Sequence, residues 1–309
     1  MKVSLQNKKL RNGVSGIMRV RNDSDFIELC VESCITALDE LIIVYNDCCD
    51  NSPEVIEKVR KKYPHKIKVY EYPYKVYGIG LTKELFSYAN SLPDDSPHLL
   101  ANYYNFALSK VSYQYAVKID ADQLYFEERL KFWCDVYKKK IIINYSVYSF
   151  IGCFVWLYIC VKLKFCKYFK PVYSLPLFLS KCYLKYVTYR VSHFDECILL
   201  SGLNTFRDNN QWLVPYGDTN SIINVLPPYN GVGDHMIFPV SESTYYEKYV
   251  CEIYNTMRSE SYTLIEKFVC NKRKYPCGFF WFHLNIMRNS TFDKVLKVKS
   301  LKPYKFEKI

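Results

Sequence analysis

The stretch Tyr115-Ala116-Val117-Lys118-Ile119-Asp120-Ala121-Asp122 constrains this chain most. Ala116 to Ile119 reads as a short buried strand that ends in two acids separated by one small residue. A carboxylate pair at the end of an apolar strand is costly to desolvate unless a positive charge sits between its members. A divalent cation supplies that charge, because hard oxygen ligands suit Mg2+ or Mn2+, ions typically shared with substrate phosphates. Taken alone, the pair reads more simply as a turn in which an Asp caps a helix starting at Glu127.

The residues upstream favour the ligand site. Gly16 to Arg21 is a first strand, and Asn22-Asp23-Ser24-Asp25 a turn. Phe26, Ile27, Cys30, Val31, Cys34, Ile35 and Leu38 then follow at helical spacing, with Ser24 or Asp23 as cap. Leu41 to Tyr45 is a second strand, Pro53 opens a helix to about Lys62, and Ile67 to Tyr70 is a third strand. Gly78 to Pro97 reads as a loop and His98 to Val111 as a helix leading into the Asp120 strand. This alternation predicts a parallel α/β sheet, whose ligands bind beyond the carboxyl ends of the strands. The loops after Arg21, Tyr45 and Ile119 then share one rim, and all three carry carboxylates or amides.

The second half reads differently. Ile141 to Val161 holds no charge and lies between Lys138-Lys139-Lys140 and Lys162 and Lys164, a length that just permits a membrane span. Its β-branched and aromatic first half, to Phe150, suits a strand better. Residues 151–190 read as an insertion of one or two amphipathic helices. Its apolar faces either enter a membrane interface, with the lysines on anionic lipid, or pack on protein, a second subunit included. Cys197 to Leu200, Asn204 to Arg207 and Trp212 to Val214 read as strands, and Pro227 to Gly233 as a loop into Asp234 and His235. Ser243 to Arg258 reads as a helix, Phe279 to His283 as an aromatic strand, and the chain from Phe292 as a basic tail.

A net charge of +11, from 42 basic and 31 acidic residues among 309, favours anionic partners. With no Arg-rich arm and no zinc-finger spacing, nucleic acid is not among those expected. The 13 cysteines are odd in number and scattered among apolar residues, and Met1 to Arg11 is polar and basic, unlike a signal peptide. Reduced, mostly buried thiols in a cytoplasmic protein are the expectation.

Five segments occur in order across the first 125 residues: Met18-Arg19-Val20-Arg21-Asn22-Asp23, Tyr45-Asn46-Asp47-Cys48-Cys49-Asp50, Tyr72-Pro73-Tyr74, Tyr103-Tyr104-Asn105 and Val117 to Asp122. Gly233-Asp234-His235-Met236-Ile237 and Phe282-His283-Leu284-Asn285-Ile286-Met287-Arg288 follow later. In these the chain resembles glycosyltransferases of the GT-A type. Among them it looks like the bacterial β-1,4-N-acetylgalactosaminyltransferases of lipooligosaccharide synthesis. The resemblance implies an α/β, Rossmann-like fold with a mixed central sheet flanked by helices. It implies one continuous domain, with a nucleotide-sugar half over 1–125 and an acceptor half over 126–309 that includes the 151–190 insertion. That insertion departs from the family pattern and leaves acceptor and sugar open.

The implied activity is metal-dependent, inverting transfer of N-acetylgalactosamine or galactose from a UDP-sugar to a glycolipid or oligosaccharide, at the cytoplasmic face of the bacterial inner membrane. Asp120 and Asp122 would hold Mn2+ or Mg2+. His283 would be a further ligand that favours Mn2+, or else a core histidine in an aromatic strand. Arg19, Arg21, Asn22, Asn46 and Asp47, with Asp120, would lie along the nucleotide, or else be end-of-strand polar residues and a helix cap. Inversion needs a base for the acceptor hydroxyl. Asp234 is the first candidate and Asp218 the second, against the alternative of solvated loop acids. His235 would orient the base or a sugar hydroxyl, and Trp212, Tyr229 and Trp281 would stack on sugar or fill the core. A nucleotidyltransferase would need a Gly-rich basic loop, of which Gly13 and Gly16 are a poor version. A membrane-surface scaffold with a transferase-like fold is the non-catalytic alternative.

Overall fold

The computed structural model describes residues 9–78, 80–164, 175–208, 211–215, 229–256, 259–284 and 301–304. Within these, side chains are not described at 163, 204, 206–208, 211–215, 229–234, 251–256, 259–261 and 301–304. Asp218, Pro227, Asn285 to Arg288 and the tail from Phe292 up to residue 300 lie outside the described residues. In chain order the elements are β1 (Arg11–Val20), α1 (Ile27–Cys34), β2 (Glu40–Tyr45), α2 (Ser52–Lys62), β3 (Ile67–Glu71), α3 (Lys83–Ser91), α4 (Leu100–Lys110), β4 (Tyr113–Asp120), β5 (Gln123–Tyr125) and α5 (Glu127–Tyr137). There follow α6 (Val147–Lys164), α7 (Leu177–Phe194), β6 (Cys197–Asn204), β7 (Phe206–Asp208), β8 (Gln211–Pro215), β9 (Tyr229–Pro239), β10 (Tyr245–Thr256), β11 (Ser259–Val269), β12 (Lys274–His283) and β13 (Leu301–Tyr304).

The chain divides into two compact units. The first comprises Met1–Val31, Leu38–Ala121 and Val240–Asn271. It holds parallel strands in the order β3-β2-β1-β4. Val14 to Met18, Leu41 to Val44 and Ala116 to Ile119 are buried throughout, as befits parallel strands covered on both faces. Tyr45 pairs with Val20 and with Glu71, and Arg19 pairs with Asp120. The carboxyl ends of the four strands are therefore level, and the expected common rim exists.

Two expectations fail in this unit. The Gly78 to Pro97 segment, expected as a loop, contains α3, capped by Thr82, whose side-chain oxygen accepts the Leu85 N–H. Ala89 fixes this helix in a cluster with Leu81, Leu99 and Leu264. The helix expected over Ser243 to Arg258 is instead β10, paired antiparallel with β11 from Tyr245↔Val269 to Thr256↔Ser259. Its four tyrosines, with Val250, Ile253 and Thr256, suit a pleated surface, and that preference decides.

The second unit comprises Glu32–Ala37, Asp122–Pro239 and Lys272–Ile309. Its strands run in the order β9-β6-β12-β5, with β6 parallel to β12 and the outer pairings antiparallel. Parallel and antiparallel pairings flanked by helices match the mixed architecture expected. The loop expected from Pro227 to Gly233 is corrected from Tyr229 onward, because β9 starts there and pairs Tyr229 with Leu203 and Asn230 with Gly202. No strand covers Ile141 to Phe150; α6 begins at Val147 and packs on α7. Gly152 lets the helices approach, since a Cβ there would overlap the Cys182 carbonyl. That packing overrides local β preference. The one or two amphipathic helices expected over 151–190 are two, α6 and α7, which together run past both bounds, and α6 is apolar on two sides instead of amphipathic. No helix among the described residues is long and apolar enough to cross a membrane.

Candidate active site

At the rim of the first unit, the strand-end loops bind one another. Asn22 (φ 58°) and Asp47 (φ 48°) are left-handed, a conformation that Asn and Asp tolerate better than other side chains with a Cβ. The Cys49 N–H donates to Asn22 Oδ1 at 2.7 Å, the Asp23 N–H to Ser52 Oγ at 2.9 Å and the Ser24 N–H to Asp50 Oδ2 at 3.1 Å. Although partial burial opposes it, the Asp50 carboxyl is held down to about 2 by the hydrogen bonds of Ser52 and Ser24. Asn46 is buried, and its Nδ2 donates to the Tyr72 and Tyr74 carbonyls at 2.6 and 2.7 Å. Arg21 and Asp47 form an exposed pair at 2.6 Å. Of the nucleotide candidates, Arg21 and Asp47 thus face solvent, while Asn22 and Asn46 make loop-to-loop bonds.

Arg19 is half-buried, its guanidinium 4.0 Å from the Tyr104 ring centre and 5.5 Å from that of Tyr103. Its Nε is buried with no hydrogen-bond partner among the described residues. Burial works against this cation, but Tyr104, Glu266, Asp120 and Tyr103 together hold its pKa above the ordinary value. Lys118 stands over the same Tyr104 ring at 4.7 Å and pairs with Glu266 at 3.0 Å, deep in the unit. Asp120 stands level with Arg19, and its carbonyl accepts the Cys30 thiol at 3.3 Å.

The second unit brings together Asp122 and His283. Gln123, the residue after Asp122, pairs with His283 across β5 and β12, and the Leu284 N–H donates to the Asp122 carbonyl at 2.8 Å. The Thr205 N–H and hydroxyl both donate to the His283 carbonyl, at 3.0 and 2.8 Å. These bonds hold Asp122 Oδ2 and His283 Nε2 3.1 Å apart, with side chains 10% and 16% exposed. A carboxylate oxygen and an imidazole nitrogen suit Mn2+. Their separation matches that of neighbouring ligands on an octahedral ion with bonds of about 2.1 Å. Among the described residues no group of three His, Cys, Asp or Glu is gathered for a metal. A cation here would fill its other positions from substrate and water.

Beside this pair lies a buried polar network that the sequence reading missed in part. The Gln123 amide nitrogen lies 2.8 Å from His235 Nε2, and Tyr125 Oη donates to Gln123 Oε1 at 2.6 Å. The Gln123 amide thus bridges the Tyr125 hydroxyl and the His235 imidazole. A lone Gln in a strand that is otherwise apolar was the available signal. The His235 ring lies 4.8 Å from that of Trp281, whose indole occupies the space that Gly202 leaves. Trp281 is fully buried, so it fills the core and offers no sugar-stacking surface. The Asp234 backbone lies within β9, and its side chain, like those of Trp212 and Tyr229, is outside the described residues.

A family model described as β-1,4-N-acetylgalactosaminyltransferase (CgtA) matches residues 5–166. No curated protein matches the chain. Among solved structures, it is similar to S. aureus TarS 1–349 in complex with UDP-GlcNAc, with a TM-score of 0.41 and 12% identity over 90% of this chain and 60% of that one. Glucosyl-3-phosphoglycerate synthase from Mycobacterium tuberculosis, in complex with Mn2+, UDP and glucosyl-3-phosphoglycerate, is similar with a TM-score of 0.23 and 16% identity, over 36% of this chain and 34% of that one. The chain spans 60% of the length of the TarS 1–349 structure and less of the other.

Proposed function

The chain belongs to the β-1,4-N-acetylgalactosaminyltransferase (CgtA) family, and from that premise we propose that it is a metal-dependent, inverting glycosyltransferase. It moves N-acetylgalactosamine, with galactose as the second candidate, from a UDP-sugar to a glycolipid or oligosaccharide acceptor. The observation that carries the metal-dependent reading is the Asp122–His283 pair, held at 3.1 Å by backbone bonds on both sides. Asp122 and His283 are the proposed ligands of Mn2+, or of Mg2+, with the remaining positions left to substrate and water; Asp120, expected beside them, is not gathered with them in a group of three among the described residues. When bound, the cation neutralises the charge of the leaving diphosphate.

The chain's own groups do the rest. Arg21 and Asp47, exposed at the strand ends, are the proposed contacts to phosphate and to uracil or ribose. Asn22 and Asn46 shape the loops that present them, and the Arg19 guanidinium lies against the Tyr104 ring. In the transfer, the acceptor oxygen bonds the anomeric carbon on the face opposite UDP as the carbon–phosphate-oxygen bond breaks. The acceptor proton passes to the base, for which Asp234 is proposed first and Asp218 second.

UDP release and sugar transfer, measured over a panel of UDP-sugars with lipooligosaccharide acceptors, test this reading. Turnover of one donor is expected with Mn2+, lost on adding EDTA and lost in Asp122→Ala. A folded protein that binds UDP but turns over none of the donors would be the scaffold, and the reading would fall.

A further inference from the structure

We propose that the outer face of α6 is a docking surface for an anionic phospholipid bilayer. The helix is apolar on two sides. Its inner side, at Ser149, Gly152, Val155 and Ile159, is buried. Its outer side carries Val147, Phe150, Phe154, Leu157 and Val161, spaced three and four residues apart and 47% to 66% exposed. At the helical rise this stripe runs about 21 Å. A continuous apolar band of that length marks an interaction surface.

Charge decides between a second copy of the chain and lipid. Between Asp135 and Asp195 the sequence holds nine lysines and one arginine, and no Asp or Glu. At the ends of this segment the positive charge is met from outside: Asp135 pairs with Lys138 and Lys140, Asp195 with Lys139, and Glu196 with Arg190. On the helices themselves lie Lys162 and Lys164, at the end of the stripe, and Lys181 and Lys185 on α7. A two-fold interface would set this segment against its own copy, positive against positive, with no acid within it. An anionic bilayer supplies an apolar layer for the stripe and negative headgroups for the lysines. As no described helix can cross a membrane, α6 lies along the surface. None of these residues belongs to the proposed transfer site, so the two readings fail separately.

The test sediments the full chain with vesicles of phosphatidylcholine alone and of phosphatidylcholine mixed with phosphatidylglycerol. Binding is expected to the mixed vesicles and to weaken about fivefold for each charge removed in Lys162→Gln and Lys164→Gln. Phe150→Ser combined with Phe154→Ser is expected to abolish binding and leave the melting temperature unchanged, since both side chains are exposed. Equal binding to both vesicle types, or binding untouched by the serine variant, would overturn the proposal. So would a lipid-free dimer in sedimentation velocity that the serine variant dissolves.

Discussion

Three residues near the strand ends, Asp122, His283 and Asn46, show how position separates a proposed ligand from a support. Asp122 and His283 are each fixed through backbone bonds, and their side chains meet each other at 3.1 Å, the pair proposed above as metal ligands. Asp122→Asn and His283→Ala are therefore expected to raise the Mn2+ concentration needed for half-maximal activity by about tenfold or more, with folding unchanged in circular dichroism. Equal Mn2+ requirements in wild type and variants would move the metal elsewhere. Asn46 is the opposite case, because it is buried and spends its amide hydrogens on the Tyr72 and Tyr74 carbonyls. Asn46→Ala leaves both acceptors unmet and is expected to cost about 2 kcal/mol, read in denaturant melts. A variant that melts like wild type but has lost UDP binding would return Asn46 to the nucleotide.

Between elements, the deciding contacts are few and specific. Lys118 on β4 and Glu266 on β11 form an ion pair only 3% and 8% exposed. Breaking it from one side strands a buried charge. Lys118→Met is expected to destabilise by about 3 kcal/mol, and adding Glu266→Leu to recover most of that. A double variant no more stable than the single one would mean that the pair does not act as a unit. Neither this pair nor Gln123–His235 was legible in the sequence, because the partners are 148 and 112 residues apart and nothing local marks them. Local signals did carry the strands of the first unit, where unbroken apolar runs stop at polar turns, and with them the common rim and the place of Asp120 at the end of its strand. They misread β10, whose spacing fits a helix while its tyrosines and β-branched residues favour a strand. They misread the approach to α6 as well, where packing through Gly152 outweighs propensity.

Taken whole, the molecule's excess charge is concentrated. The net charge is +11, and the acid-free segment between Asp135 and Asp195 holds ten basic residues, so the rest of the chain is close to balanced. Read along the sequence, the excess lysine looks spread out and only the flanks at 138–140, 162 and 164 stand out, because the acid-free run shows only when acids and bases are counted together, and which helix face stays outside is left open there. The acids elsewhere set how the fold responds to pH. Glu40, 2% exposed, is opposed by burial, yet the ion pair with Lys68 and hydrogen bonds from Ser15 and the Ser112 N–H hold its pKa below the ordinary value. Asp50 is held down to about 2. A carboxyl whose folded pKa is depressed stabilises the fold fully above its unfolded value, about 4 for these groups, and loses that contribution as pH falls through the folded value. For Asp50 the loss runs from near pH 4 down to about 2. The melting temperature is therefore expected to hold steady above about pH 5 and to fall below about pH 4. In Glu40→Gln combined with Asp50→Asn it should start lower at neutral pH and fall less steeply in acid. If the variant keeps the full acid slope, other carboxylates set acid stability, and the two networks at Glu40 and Asp50 hold their loops without linking them to pH.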